Sequence, residues 1–184
     1  MTDKDLASGA APSPGSGPRP PAGASEEPAH ATCGWNSDLP TFTRTEPRVI
    51  RLHLERFVRD AGASQIRAWD RSIPFLQREC GELVATDGGA HAYTAILEFE
   101  LPLEARRTDV IVLENGVVVV LELKGKERPS QADLDQVMAY ARDLRAYHAD
   151  CHERPVHAVL VPTRASAERA RIDDVFVVGP EGLD

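Results

Sequence analysis

The run from Thr108 to Lys124, TDVIVLENGVVVVLELK, restricts the fold more than any other part of the chain. Two apolar segments, DVIVL and VVVVLEL, flank Asn115-Gly116, the strongest short-range signal for a two-residue hairpin turn. Such a turn sets Glu114 opposite Val117 and carries the register outward. Asp109 then lies across from Glu122 on one face of the sheet, because opposed residues share a face. Lys124, two residues beyond Glu122, points to that face as well. The open end of one hairpin thus gathers two carboxylates and an ammonium. Like charges directly opposed cost roughly 0.2–1 kcal/mol, so the pattern is poor for folding alone. A divalent cation resolves the conflict, since magnesium takes one or two carboxylates and completes its shell with waters and phosphate oxygens. A lysine beside it can orient water or stabilise charge developing on phosphorus. Without a ligand, the same residues read as a solvated Glu122–Lys124 pair and an aspartate that begins a strand.

The rest of the chain supplies a framework for that hairpin. Residues 1 to about 32 are Ala, Pro, Gly and Ser with scattered charges and almost nothing apolar to bury, which reads as a disordered tail. Residues 33–184 read as one domain. Trp35 to Pro47 suggests an irregular arm docked by Trp35, Leu39 and Phe42. VIRLHLERFVRDAG (49–62) suits a helix closed by Gly62. A second helix follows, capped by Ser64, with Ile66, Trp69, Ile73 and Leu76 at helical spacing and Pro74 as a kink. Glu79 and Glu82 fall near its end. YTAILEFEL (93–101) alternates as a strand, with Leu97, Phe99 and Leu101 on one face and Glu98 and Glu100 on the other, expected to face solvent. Glu98 is also a possible further metal ligand. After the hairpin, Ser130 caps a helix whose Leu134, Val137, Met138, Ala141 and Leu144 form a core stripe. Gln136 and Tyr140 sit one turn apart on its flank. VHAVLVP (156–162) then adds a strand parallel to Val117–Leu123. Ala165–Arg171 is expected as a short helix and VFVVG (175–179) as a last strand.

Asp109, Glu122-Leu123-Lys124 at the end of an apolar strand, and Gln136-x-x-x-Tyr140 on the next helix together resemble the PD-(D/E)XK nuclease superfamily, in its RecB-like branch. More narrowly, Trp69 to about Leu183 is similar to the nuclease-like domain ahead of the helicase portion in bacterial Schlafen-type helicase-like proteins. The phrases that carry the likeness are Arg106-Arg107-Thr108-Asp109, LELKG, QVMAYARDLRAYH and VHAVLVPT. Position 108 holds Thr where the superfamily name has Pro. The resemblance implies an α/β fold, a restriction-endonuclease-like αβββαβ core with a mixed sheet between helices. It also implies hydrolysis of phosphodiester bonds with Mg2+ or Mn2+. Asp109 and Glu122 would hold the metal with the Leu123 carbonyl, with Glu98 as a candidate further ligand, Lys124 would serve the reacting centre, and Gln136 and Tyr140 would support the site or contact nucleic acid. The implied partners are nucleic acid, DNA ahead of RNA, and a helicase or ATPase. The alternative is a catalytically inactive nuclease-fold module that binds or regulates.

Composition limits these readings. The chain of 184 residues carries a formal charge of −8, which argues against a broad electrostatic grip on duplex DNA. Lys4, Lys124 and Lys126 are the only lysines, so two of three stand at the hairpin end. Cys33, Cys80 and Cys151 are distant and odd in number, which implies no disulfide framework. His148, Cys151 and His152 match no standard zinc spacing. No apolar run reaches the ~18–20 residues that span a membrane, and the N-terminus lacks a secretory pattern; a cytoplasmic location is expected.

Overall fold

The Asn115-Gly116 turn forms as the sequence requires, with φ of 44° and 87° at its two residues, the left-handed pair that matches strand twist. In the computed structural model, residues 32–101, 106–166 and 169–183 are described. The expected tail therefore lies outside the described residues except for Thr32. The turn joins β3 (Arg107–Glu114) to β4 (Val117–Lys124). Their register is the one read from the sequence, from Glu114 opposite Val117 to Val110 opposite Leu121.

Around this hairpin stands a mixed α/β fold with a seven-stranded sheet. β1 (Trp35–Asp38) and β2 (Thr94–Glu100) continue it antiparallel on the β3 side. β5 (Val156–Pro162) lies parallel to β4, as expected of a crossover connection. Beyond it come β7 (Val175–Val178), parallel to β5, and then β6 (Arg169–Ile172), antiparallel on the edge.

Two helical layers cover the two faces. On one, α1 (Leu39–Arg44), α2 (Pro47–Phe57) and α3 (Ala63–Thr86) contribute Leu39, Phe42, Ile50, Leu54, Trp69, Ile73 and Leu76, packed on Leu97, Val110, Leu121 and Val159. On the other, α4 (Gln131–Tyr147) lays Leu134, Val137, Tyr140, Ala141 and Leu144 against Ile111, Val118, Val120 and Leu160. β5 feeds both cores, Val159 and Val161 to one and Ala158 and Leu160 to the other, which is why its sequence is nearly all apolar rather than alternating.

Several expectations are corrected. Trp35 to Pro47 is an edge strand followed by a short helix, because Asp38 caps α1 by accepting from the Thr41 amide at 2.7 Å. Leu39 and Phe42 are nonetheless fully buried. The N-cap of α3 is Gly62, so Ser64 lies inside the first turn, and the helix continues through Pro74. The segment expected as a helix at 165–171 yields the β6 edge strand instead, since Ala170 pairs with Val177 and Arg171 with Phe176. No described helix is long and apolar enough to cross a membrane.

Candidate active site

The β2–β3 ladder holds one register from Thr94–Leu113 to Glu100–Arg107, with Glu98 and Asp109 the unpaired step inside it. Glu98 has φ 53°, a left-handed backbone that costs a residue with a side chain roughly 1–2 kcal/mol. It reverses the alternation of the strand: Leu97 belongs to the α3-side core, while Phe99 packs on the α4 side. Leu97, Phe99 and Leu101 therefore do not share a face as expected. Glu98 is not solvent-facing either. It is 6% exposed, and its Oε1 accepts from the Trp69 indole at 2.8 Å while Oε2 accepts from Arg107 Nε at 3.1 Å. A buried carboxylate survives only with such partners, and here they hold Glu98 against α3. Glu100 is exposed, as expected.

Asp109 is the residue opposite Glu98 at that step. It is among the residues lining a cleft of about 500 Å³ with Glu98, Trp69, Leu123 and Gly125, and its Oδ2 accepts the Leu123 amide at 2.8 Å. The hairpin ladder ends one step earlier, at Val110–Leu121, because the Asp109 side chain has taken a strand-end amide. Burial pushes the Asp109 carboxyl well above its ordinary range; the neighbouring Glu122 carboxylate adds to this, the Leu123 N–H opposes it, and Glu98 adds again.

Glu122 approaches the same place from the α4 side. It is 3% exposed. Its Oε1 accepts from Lys124 Nζ at 2.7 Å and from Gln136 Nε2 at 2.9 Å, whereas Oε2 is buried with no hydrogen-bond partner. Burial raises the Glu122 carboxyl, against the pull of Lys124. Lys124 also donates to Gln136 Oε1 at 3.0 Å. Burial alone would lower the lysine; its bond to Glu122 and the charges of Glu122, Asp109 and Asp133 more than reverse that, so the ammonium stays protonated. A charged Lys124 can stabilise anionic oxygen, and has no free lone pair with which to accept a proton.

α4 holds this group in place. Gln136 Nε2 also donates to the Tyr140 hydroxyl at 2.6 Å. Arg106 lies 5.4 Å over the Tyr140 ring and donates to Asp143 at 2.7 Å. At the helix start, Asp133 accepts from the Ser130 amide, the Ser130 hydroxyl and Lys126 Nζ, each at 2.7 Å. Burial would raise Asp133, but these donors hold it at about 2.

The expected residues do not share one face: Asp109 and Leu123 line the cleft, whereas Glu122, Lys124, Gln136 and Tyr140 do not line it and are hydrogen-bonded to one another between β4 and α4. Glu79 and Glu82 do not line the Asp109 cleft. Among the described residues, no group of three or more His, Cys, Asp or Glu gathers as a metal cluster, His148, Cys151 and His152 included. Sequence reasoning placed Trp69 only in the core and gave Arg107 and Asp143 no part. The buried Glu98 was the missing link, since a glutamate in an apolar strand must find donors. A pair of carboxylates with one unpartnered buried oxygen fits magnesium, which needs few protein ligands and retains water. Comparison of the chain with protein-family models, curated proteins and solved structures found no match in any of the three.

Proposed function

We propose that residues 33–184 form a metal-dependent nuclease domain of restriction-endonuclease-like fold that hydrolyses phosphodiester bonds, DNA ahead of RNA. The observation that carries this reading is the buried, unpartnered Glu122 Oε2 beside an Asp109 whose charge is disfavoured by burial. A buried carboxylate oxygen without a donor, close to a second carboxyl whose charge is disfavoured, is a place where a further cation is favourable. The element order from α3 through β2, β3, β4 and α4 to β5 supports the finer fold, since it repeats the helix, three strands, helix and strand of the resembling core.

In this reading Asp109, Glu122 and the Leu123 carbonyl would hold Mg2+ or Mn2+. When bound, the cation supplies Lewis-acid polarisation of a phosphoryl oxygen and a more acidic water. The chain does the rest. Lys124, protonated and anchored by Glu122 and Gln136, presents positive charge to the oxygen that becomes anionic as water adds to phosphorus and the ester P–O bond breaks. Gln136 fixes the lysine by accepting from it, and Tyr140 with Arg106 fixes Gln136. A helicase or ATPase partner belongs to the same proposal. A second reading, an inactive nuclease-fold module, draws on the −8 charge of the chain.

The test is cleavage of labelled DNA with magnesium or manganese and its arrest by EDTA. Lys124→Ala should lower the rate by about 10²–10³ while the melting temperature stays within a few degrees. Equal cutting by Lys124→Ala would overturn the mechanism. Wild-type protein that melts higher with magnesium but never cuts would favour the inactive module.

A further inference from the structure

The cleft that exposes Asp109 is bounded by α3 on one wall and by the ends of β4 and β5 on the other. Its α3 wall includes Ser64, Ala68 and Ser72, and its other wall includes Gly125, Thr163 and Arg164. Positions four apart lie along one face of a helix, so Ser64, Ala68 and Ser72 make a smooth strip over two turns, about 12 Å long. Gly125 adds no side chain opposite. Arg71 and Arg164 line the cleft from the two walls. Among the described arginines, Arg51, Arg78, Arg106, Arg107, Arg142 and Arg171 form ion pairs. The guanidiniums of Arg71 and Arg164 form none among the described residues, although the chain is rich in carboxylates. Two unpaired guanidiniums facing one slot in an acidic protein are suited to anions, and Arg pairs phosphate with a planar fork.

We propose that this cleft takes single-stranded nucleic acid, with Arg71 and Arg164 each holding a backbone phosphate as the strand passes Asp109. The inference rests on the nuclease reading for the part of Asp109. A space of about 500 Å³ is that of a small-ligand pocket, wide enough for a strand or an extruded nucleotide. Charge agrees, because two cations suffice to track a short strand, whereas firm duplex binding draws on many phosphate contacts.

Fluorescence anisotropy separates the possibilities, using the full chain, a labelled oligo-dT strand and a blunt duplex of equal length. Titrations run in EDTA, where no turnover occurs, and again with magnesium. The strand should bind at least about tenfold tighter than the duplex, and loss of two phosphate contacts in Arg71→Ala/Arg164→Ala should flatten the salt dependence of log K by about 1.4. Arg48→Ala, an exposed arginine of α2 outside the cleft, should bind the strand as wild type does. Duplex binding equal to or tighter than strand binding overturns the proposal, as does an unchanged salt slope in the double variant, or no binding of either probe. Strand binding that depends on both arginines without any magnesium-dependent cutting would sink the nuclease reading and keep the cleft. Cutting that depends on Lys124 and ignores both arginines would do the reverse.

Discussion

Asp109 carries two burdens in the metal-free protein: a dry environment and the charge of Glu122. A carboxyl whose pKa is raised on folding keeps its proton in the native state where the unfolded chain has already lost it. The native state then binds more protons, and stability falls as pH rises above the ordinary value of 3.8. The slope is at most about 1.4 kcal/mol per pH unit for one such group. Asp109→Asn keeps the shape and an oxygen for the Leu123 amide but carries no charge. Melted in EDTA at pH 8, the Asp109→Asn variant should therefore exceed wild type by on the order of 1 kcal/mol, and its stability should depend less on pH. Saturating magnesium should add about 2.7 kcal/mol to wild type at a hundred times its dissociation constant, and much less to the variant, so the two exchange rank. Parallel behaviour with and without magnesium would refute a shared metal at Asp109 and Glu122. The register from Glu114–Val117 to Val110–Leu121 was readable from Asn115-Gly116 alone, while the expected Asp109–Glu122 step is not part of the ladder. The left-handed backbone at Glu98 was not readable, because nothing in an ordinary Leu-Glu-Phe triplet announces it.

At the scale of elements, local signals succeeded where one residue dominates and failed where a neighbour decides. The α4 start was legible from Ser130 and Asp133, and the core stripe from its spacing. Tyr140 is buried deeper than a flank position suggests, since Arg106 and Asp143 close over it. β6 was missed because Ala170 and Arg171 are neutral or favourable in helices, and pairing with β7 overrides that weak preference. The cap makes a separate prediction. Asp133 is held at about 2 by Lys126 and Ser130, so it stabilises the fold above the ordinary 3.8, and that contribution is lost as pH falls toward 2. Asp133→Ala should cost about 1 kcal/mol at neutral pH, the usual worth of a helix-capping contact, and only a small part of that at pH 2, where about half of the carboxyls are protonated. Thermal melts at both pH values check this. Because α4 also carries Gln136, the variant should cut more slowly as well; full activity would mean that the cap does not help place Lys124.

Over the whole molecule, the site occupies the seam where the sheet changes from antiparallel to parallel. β4 is hydrogen-bonded to β3 in one sense and to β5 in the other, and its C-terminal residues, Glu122 to Lys124, emerge between the two helical layers. Both cores must be in place for Asp109 and Glu122 to meet, so the site depends on residues from α3 to β5. The Pro- and Ala-rich N-terminal segment is expected to stand outside that dependence. The described fold begins its backbone pairing at Thr32, whose carbonyl accepts the Glu100 amide at 2.8 Å, and at Gly34, whose amide donates to Leu97. Residues 1–31 add one lysine and almost no apolar surface, so they have little hydrophobic energy to contribute. A chain starting at Thr32 should accordingly melt as cooperatively as the full chain and at the same midpoint. In a domain of this size a loss of 1 kcal/mol lowers the midpoint by about 2–4 °C, well within what calorimetry resolves. A fall of several degrees would mean that the segment docks on the domain and that composition misled the reading of it; an unchanged midpoint with altered nucleic-acid affinity would assign it to binding rather than to folding.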